Sequence, residues 1–211
     1  MKHLVLLGDS TLDNAAYTAG GPAVITHVAR ELPEHWKTTL GAVDGATTED
    51  IEAQLQILPQ DATHLLLSVG GNNALLQADV LDTPITSSGD ALLMLYGIAR
   101  AFEVQYRAVV AACLKKKLPL VVCTVYHGNF PDAGYQQRVI VALTVFNDAI
   151  IRIAAENGLT VIDLRTVCSV PEDYANPIEP SVPGGAKIAK AIVRAVTEPA
   201  PPGPGAHVVA A

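Results

Sequence analysis

The stretch Leu4-Val5-Leu6-Leu7-Gly8-Asp9-Ser10 decides the fold of this chain. Four consecutive apolar residues before a glycine predict a short strand with both faces buried, as in the covered parallel sheet of an α/β protein. The Gly-Asp-Ser that follows places small and polar groups at the carboxyl end of that strand, which is the edge where functional groups of open α/β sheets collect. One segment therefore predicts both the fold class and the place of a functional site.

Further apolar runs repeat this pattern along the chain. They lie at 65–69, 120–125 and 159–162, with a weaker run at 37–43. Between them, apolar residues recur at helical spacing in five segments, at about 20–31, 48–58, 89–117, 133–157 and 184–197. Strands that alternate with helices indicate an α/β protein with a parallel sheet.

Length and composition predict one folded domain. The chain has 211 residues, 50% of them hydrophobic and 17% charged, which excludes disorder for most of its length. We expect a single domain over residues 1–198. Residues 199–211 are rich in proline and glycine, and we expect them to form a loose tail.

Charge and cysteine usage exclude several classes of function. The formal net charge of -7 argues against nucleic-acid or anionic-membrane partners. The three cysteines are too few for a disulfide scaffold, and we expect them to be buried free thiols. No apolar run is long enough for a signal peptide or a membrane span, so we expect a cytoplasmic protein. No metal-ligand spacing occurs, and we expect neither a metal nor another cofactor.

The predicted strands end in small, polar segments. These are Gly8-Asp9-Ser10, the Gly45 loop at 44–48, Gly70-Gly71-Asn72-Asn73, and Tyr126-His127-Gly128-Asn129. A serine at such an exit is either a nucleophile or a helix cap. The Asn72 amide is either an oxyanion donor or part of a turn. Each segment alone leaves both interpretations open.

Taken in order, these segments resemble the SGNH or GDSL hydrolase family. The resemblance extends to Pro180-Ser181-Val182-Pro183-Gly184-Gly185-Ala186-Lys187-Ile188-Ala189, which is similar to the closing motif of that family. It implies a three-layer α/β/α fold with a flavodoxin-like, five-stranded parallel sheet, and hydrolysis of an ester or acyl bond. It also implies Ser10 as the nucleophile, with an oxyanion hole formed by the Ser10 N–H, the Gly45 N–H and the Asn72 side chain.

The closing motif departs from the family pattern at the catalytic base. The family has Asp-x-x-His before the proline, whereas this chain has Asn176-Pro177-Ile178-Glu179-Pro180. Glu179 therefore stands at the base position and Asn176 at the position of its partner. A free Glu has a pKa of about 4.3 against about 6.5 for His, but burial raises the pKa of a carboxyl group. His127, in the loop after the fourth strand, is the alternative base.

We therefore expect a serine hydrolase that cleaves a small-molecule carboxylic ester or an acyl group through an acyl-enzyme on Ser10. The alternative is a catalytically silent binding protein of the same fold that has lost its proton acceptor. A flavodoxin-like nucleotide or flavin binder is less favoured because the chain lacks a glycine-rich phosphate loop. The substrate and the oligomeric state stay open.

Overall fold

The computed structural model describes residues 1–198 and 207–210. The strands are β1 Lys2–Gly8, β2 Trp36–Leu40, β3 His64–Ser68, β4 Leu120–Cys123, β5 Thr160–Ile162 and β6 His207–Val209. The helices are α1 Val24–Glu31, α2 Ile51–Gln56, α3 Gly71–Leu75, α4 Ser88–Leu114, α5 Ala133–Glu156, α6 Leu164–Val167 and α7 Val182–Thr197. Short 3₁₀ turns complete several of the connections.

All neighbouring strands are parallel, and their order is β2-β1-β3-β4-β5-β6. The expected α/β fold with a covered parallel sheet is confirmed, but the described residues form six strands where five were expected. The sixth, His207–Val209, pairs with β5 and buries Val209, although we assigned these residues to a loose tail. The rest of that predicted tail, 199–206 and 211, lies outside the described residues, and the domain boundary at 198 stays a prediction.

Alternate residues of the inner strands β1, β3, β4 and β5 face opposite helix layers. Val5 and Leu7 of β1 pack in the cluster with α2, α4 and α5, whereas Leu4 and Leu6 pack with α1, α6 and α7. This is the two-residue period of a strand that is buried on both faces. It explains why the run at 4–7 is apolar throughout.

The two longest helices begin at side-chain caps. The Ser87 hydroxyl accepts a hydrogen bond from the Asp90 N–H at the start of α4, and the Asp132 carboxylate accepts one from the Tyr135 N–H at the start of α5. Such caps satisfy backbone donors that have no partner inside the helix. Within the part of the chain that the structure describes, neither these helices nor any other is long and apolar enough to cross a membrane.

A buried carboxylate joins α4 to α5. Glu103 of α4 forms ion pairs with Arg100 and Arg107 of the same helix and with Arg152 of α5. Arg107 also pairs with Glu156 at the end of α5. Hydrogen bonds from Arg152 and Arg107 lower the pKa of Glu103 to about 2, so the cluster is charged at neutral pH.

Candidate active site

The candidate site lies at the point where the strand order changes direction, because β2 is added on one side of β1 and β3 on the other. β1 is the neighbour of both β2 and β3, and Gly8 at the end of β1 is in register with Ser68 at the end of β3. A crevice forms outside the carboxyl ends of strands at such a switch point. Ser10 follows β1 and Asn72 follows β3, and both line one pocket in this crevice.

Two hydrogen bonds between Gly8 and Gln54 fix the backbone that precedes Ser10, the candidate nucleophile. The Gly8 N–H donates to the Gln54 side-chain oxygen at 2.8 Å, and the Gln54 amide donates back to the Gly8 carbonyl at 2.8 Å. Gly8 has φ of 137°, and a Cβ atom there would lie 1.8 Å from the Ser68 carbonyl oxygen. Only glycine fits this position. Sequence reasoning missed Gln54, because its spacing from Gly8 carries no signal.

Ser10 lies in a tight turn and is almost buried, with 8% of its surface exposed. The Asp9 carboxylate accepts a hydrogen bond from the Thr11 N–H at 3.0 Å, and the Asp9 carbonyl accepts from the N–H groups of Leu12 and Asp13. The Ser10 N–H has no hydrogen-bond acceptor among the described residues. Burial raises the pKa of Asp9 to about 6.

The loop that contains Gly45 is fastened to the turn after Ser10. The Asp44 N–H donates to the Asp13 carboxylate at 3.0 Å, and the Tyr17 hydroxyl donates to the Asp44 carboxylate at 2.7 Å. Gly45 has φ of 80°, and its N–H donates to no atom in residues 1–198 or 207–210. Gly45 itself is not among the residues that line the pocket.

Asn72 and Asn73 join the end of β3 to this loop. The Asn72 amide donates one hydrogen bond to the Ala46 carbonyl at 2.9 Å, so its second N–H is left for another acceptor. The Asn73 side chain accepts from the Thr48 N–H at 3.1 Å and donates to the Thr48 hydroxyl at 2.8 Å. Asn72 thus borders the pocket, whereas Asn73 holds the loop.

Glu179 lies beside Ser10 and lines the same pocket. It is 5% exposed, and its Oε2 atom has no hydrogen-bond partner among the described residues. Burial raises the pKa of Glu179 to about 7, while the neighbouring Ser10 side chain lowers it and the charges of Asp44 and Asp9 raise it. The structure therefore brings together a hydroxyl group and a carboxyl group that titrates near neutrality.

Asn176, at the position of the partner of the base, contacts the backbone at Glu179 and not the Glu179 carboxyl group. Its side-chain oxygen accepts hydrogen bonds from the backbone N–H groups of Ile178 and Glu179, each at 2.9 Å. This is the geometry of an Asx turn, in which an asparagine side chain replaces a backbone acceptor. Asn176 therefore shapes the backbone that presents Glu179.

Two residues outside the closing motif hold the Glu179 segment in place. The buried Asn14 amide donates to the Pro180 carbonyl at 3.1 Å, and its oxygen accepts from the Val24 N–H at 2.9 Å. The Tyr126 hydroxyl donates to the Ile178 carbonyl at 2.6 Å. From the sequence, Asn14 is equally well interpreted as a residue that shapes the pocket or as a local cap, because nothing in one sequence signals a contact across 166 positions.

His127, the alternative base, lines the same pocket as Ser10 and Glu179. Its ring forms no hydrogen bond with any residue that the structure describes, so no contact joins it to the Ser10 hydroxyl. Burial lowers the pKa of His127, and the positive charge of Arg165 lowers it further. Ser10 interacts with the Glu179 carboxyl group and lowers its pKa, whereas it has no such effect on the pKa of His127.

The pocket runs from Ser10 into an apolar space between α4 and α5. Among the residues that line it are the aromatic side chains of Phe130, Tyr126 and Tyr135. The Asn147 amide, buried on α5, pairs with both the N–H and the carbonyl of Val125 at one wall. Within residues 1–198 and 207–210, no group of three or more histidine, cysteine or acidic side chains is arranged to bind a metal. The three cysteines are free and buried, as expected.

Comparison with known proteins identifies relatives of this fold. The model of the GDSL-like lipase/acylhydrolase family matches residues 6–184. A lipase from a goat rumen metagenome has a TM-score of 0.70 at 16% identity, covering 92% of this chain and 97% of that one. An extracellular lipase from Streptomyces rimosus has a TM-score of 0.68 at 18% identity, covering 92% and 100%.

An acetylxylan esterase from Geobacillus stearothermophilus is also similar, with a TM-score of 0.63 at 17% identity, covering 94% of this chain and 95% of that one. The search of curated protein sequences finds no significant match. The family match spans most of the chain, and it agrees with the motif order at the strand exits and with the parallel sheet. This chain therefore belongs to the GDSL-like lipase/acylhydrolase family and is a hydrolase of ester bonds.

Proposed function

We propose that this ester hydrolase works through a covalent acyl-enzyme on Ser10, with Glu179 as the general base. The observation that supports the proposal most is that the buried Glu179 carboxyl group and the Ser10 side chain line one pocket and interact, since Ser10 lowers the pKa of Glu179. A serine hydroxyl is a weak nucleophile unless a base within hydrogen-bond reach removes its proton.

The environment of Glu179 suits this role. A general base is most effective when its pKa lies near the working pH. The pKa of Glu179 is raised to about 7, which is close to that of a free imidazole at about 6.5. Burial thus compensates for the lower intrinsic basicity of a carboxylate.

Three hydrogen-bond donors are candidates for the oxyanion hole. They are the Ser10 N–H and the Gly45 N–H, which donate to no described atom, and the second N–H of the Asn72 amide. Donors that are fixed before the reaction stabilise the negative charge that develops on the carbonyl oxygen. Asn72 is fixed by its bond to Ala46, and the Gly45 loop is fixed by Asp13 and Tyr17.

The steps of the reaction follow from these roles. The Ser10 oxygen attacks the ester carbonyl carbon as its proton passes to the Glu179 carboxylate. The tetrahedral intermediate collapses, the bond to the alcohol oxygen breaks, and the alcohol leaves with the proton from Glu179. Water then attacks the acyl-enzyme, gives one proton to Glu179 and releases the carboxylic acid, and the Glu179 proton returns to Ser10.

Labelling with a fluorophosphonate, together with hydrolysis of a p-nitrophenyl ester, tests this proposal. We expect the wild-type protein to be labelled and active, Ser10→Ala to be neither, and Glu179→Gln to lose about 10²- to 10⁴-fold in kcat. Glu52→Gln, a change of an exposed glutamate on α2, is the matched control. Labelling that persists in Ser10→Ala would refute Ser10 as nucleophile. A wild-type protein that is neither labelled nor active would favour the catalytically silent binding protein.

A further inference from the structure

An apolar pocket extends from the Ser10 hydroxyl into the protein. The pocket is partly open to solvent and has a cavity volume of about 100 Å³. The two carboxyl groups that line it, Asp9 and Glu179, both belong to the end that contains Ser10. Beyond that end, the walls consist mainly of aliphatic and aromatic side chains from α3, α4 and α5.

The far part of this pocket is largely buried, and most of the side chains that line it are apolar. Val69, Leu143 and Phe146 line it and are each less than 9% exposed. Leu95 and Ile98 of α4 form a half-buried wall. An apolar space of this kind favours a hydrocarbon group, because moving apolar surface out of water is favourable. A hydroxyl group inside it would lose its hydrogen bonds to water without replacing them.

The position of Glu179 indicates which half of an ester occupies this space. The leaving alcohol takes its proton from Glu179, so the alcohol must face that side chain. Glu179 lies in the segment before α7, whereas the apolar walls belong to α3, α4 and α5. The acyl chain, on the other side of the carbonyl carbon, is then the half that faces the apolar walls.

We propose that this pocket binds the acyl chain of the substrate, and that the protein prefers esters of medium-length unbranched fatty acids to acetyl esters. This inference rests on the proposed role of Ser10. An acetyl group leaves the pocket largely empty, whereas an octanoyl chain places six further methylene groups against the apolar walls. Each buried methylene raises kcat/KM by about fourfold, which corresponds to about 0.8 kcal/mol.

Hydrolysis of p-nitrophenyl acetate, butyrate and octanoate tests the inference. We expect kcat/KM to rise along the series, by at least about 100-fold between acetate and octanoate. Ala142 lines the pocket on α5, and Ala142→Phe should lower the octanoate-to-acetate ratio of kcat/KM by at least about tenfold. Ala101→Phe, on the exposed face of α4, is the matched control and should leave this ratio unchanged. A flat series, or one that favours acetate, would overturn the inference and leave the role of Ser10 intact.

A second variant and a binding measurement cover the remaining outcomes. Leu95→Ala removes part of the wall without adding bulk, and it should also lower the octanoate-to-acetate ratio if Ala142→Phe does not fold. Calorimetric titration of Ser10→Ala with octanamide and with acetamide measures the pocket without turnover. We expect octanamide to bind more tightly, and Ala142→Phe added to Ser10→Ala to abolish the difference. If no ester is hydrolysed, octanamide binding still supports the acyl pocket, and equal binding of both amides refutes it.

Discussion

The side-chain oxygen of Asn176 lies 2.9 Å from the backbone nitrogen of Glu179 and accepts its hydrogen bond. The amide therefore acts on the backbone of the candidate base and not on its carboxyl group. In a histidine-based site of this family, the residue three positions earlier orients the imidazole ring. Here the same position shapes a turn, and the Glu179 carboxyl group is left with one buried oxygen that has no partner among the described residues.

This relationship predicts different effects for two substitutions of Asn176. Asn176→Ala removes both acceptor contacts of the turn and should lower kcat, because Glu179 is no longer held against Ser10. Asn176→Asp keeps both contacts and adds a negative charge, so it should raise the pKa of Glu179 and move the pH profile of kcat/KM to higher pH. The shift should be a fraction of a unit because Asn176 is exposed. Equal loss of activity in both variants, without a shift of the profile, would contradict this role.

The pH dependence of hydrolysis should report the ionisation of Glu179. Only the ionised carboxylate accepts a proton, and its pKa is raised to about 7. We therefore expect kcat/KM to fall about tenfold per pH unit below that value and to level off above it. Measurement between pH 5 and 9 with an octanoyl or acetyl ester checks this. A plateau that extends down to about pH 5 would indicate a base of ordinary carboxylate pKa.

Glu179 should also lower the stability of the protein at alkaline pH. Because the folded state binds this proton more tightly than the unfolded state, the stability it contributes is present at low pH and is lost as the pH rises through about 7. Glu179→Gln should therefore raise the free energy of unfolding at pH 8 by at most about 3 kcal/mol, with little change at pH 4. Urea unfolding at both pH values measures the difference, and Glu52→Gln serves as the control. A destabilised Glu179→Gln at pH 8 would contradict the raised pKa.

Removal of the Asn72 amide should affect turnover more than substrate binding. Asn72→Ala takes away one candidate oxyanion donor, which should lower kcat by about 10²- to 10³-fold with a smaller change in KM. Asn73→Ala is the informative comparison, because Asn73 bonds to Thr48 on the loop side. We expect Asn73→Ala to lower the melting temperature more than Asn72→Ala does, and to lower kcat less than Asn72→Ala does. Equal losses of kcat in the two variants would contradict the assignment of Asn72 as an oxyanion donor and of Asn73 as a residue that holds the loop.

His127 should contribute far less than Glu179 to proton transfer. No hydrogen bond joins its ring to Ser10 within the described residues, and burial and Arg165 lower its pKa. We expect His127→Ala to lower kcat/KM by less than about tenfold and to leave the lower limb of the pH profile in place. Loss of that limb in His127→Ala would instead assign the base to the histidine.

Local patterns were sufficient to predict the centre of the fold and most of the candidate site. The run at 4–7 and the polar exit at Gly8-Asp9-Ser10 are short-range signals, and parallel strands bring successive exits to one edge by geometry alone. The strand His207–Val209 was not predicted, because three residues are too few to show the alternation of polar and apolar residues that indicates a strand. This segment forms a strand by pairing with the edge of β5. The hydrogen bonds of Gln54 with Gly8 and of Asn14 with Pro180 were not predicted, because they join residues that are far apart in the sequence.

The ion pairs of Glu103 with Arg107 and Arg152 lie further along α4 and α5 than Leu95 and Ala142, which line the pocket. The ion pairs between the two helices are therefore formed by residues other than these two wall positions. In laboratory evolution, wall positions such as Leu95 and Ala142 can therefore be substituted while the ion pairs of Glu103 are retained. Selectivity toward different acids is then a trait that can be altered at Leu95 and Ala142 without removing the ion pairs between α4 and α5.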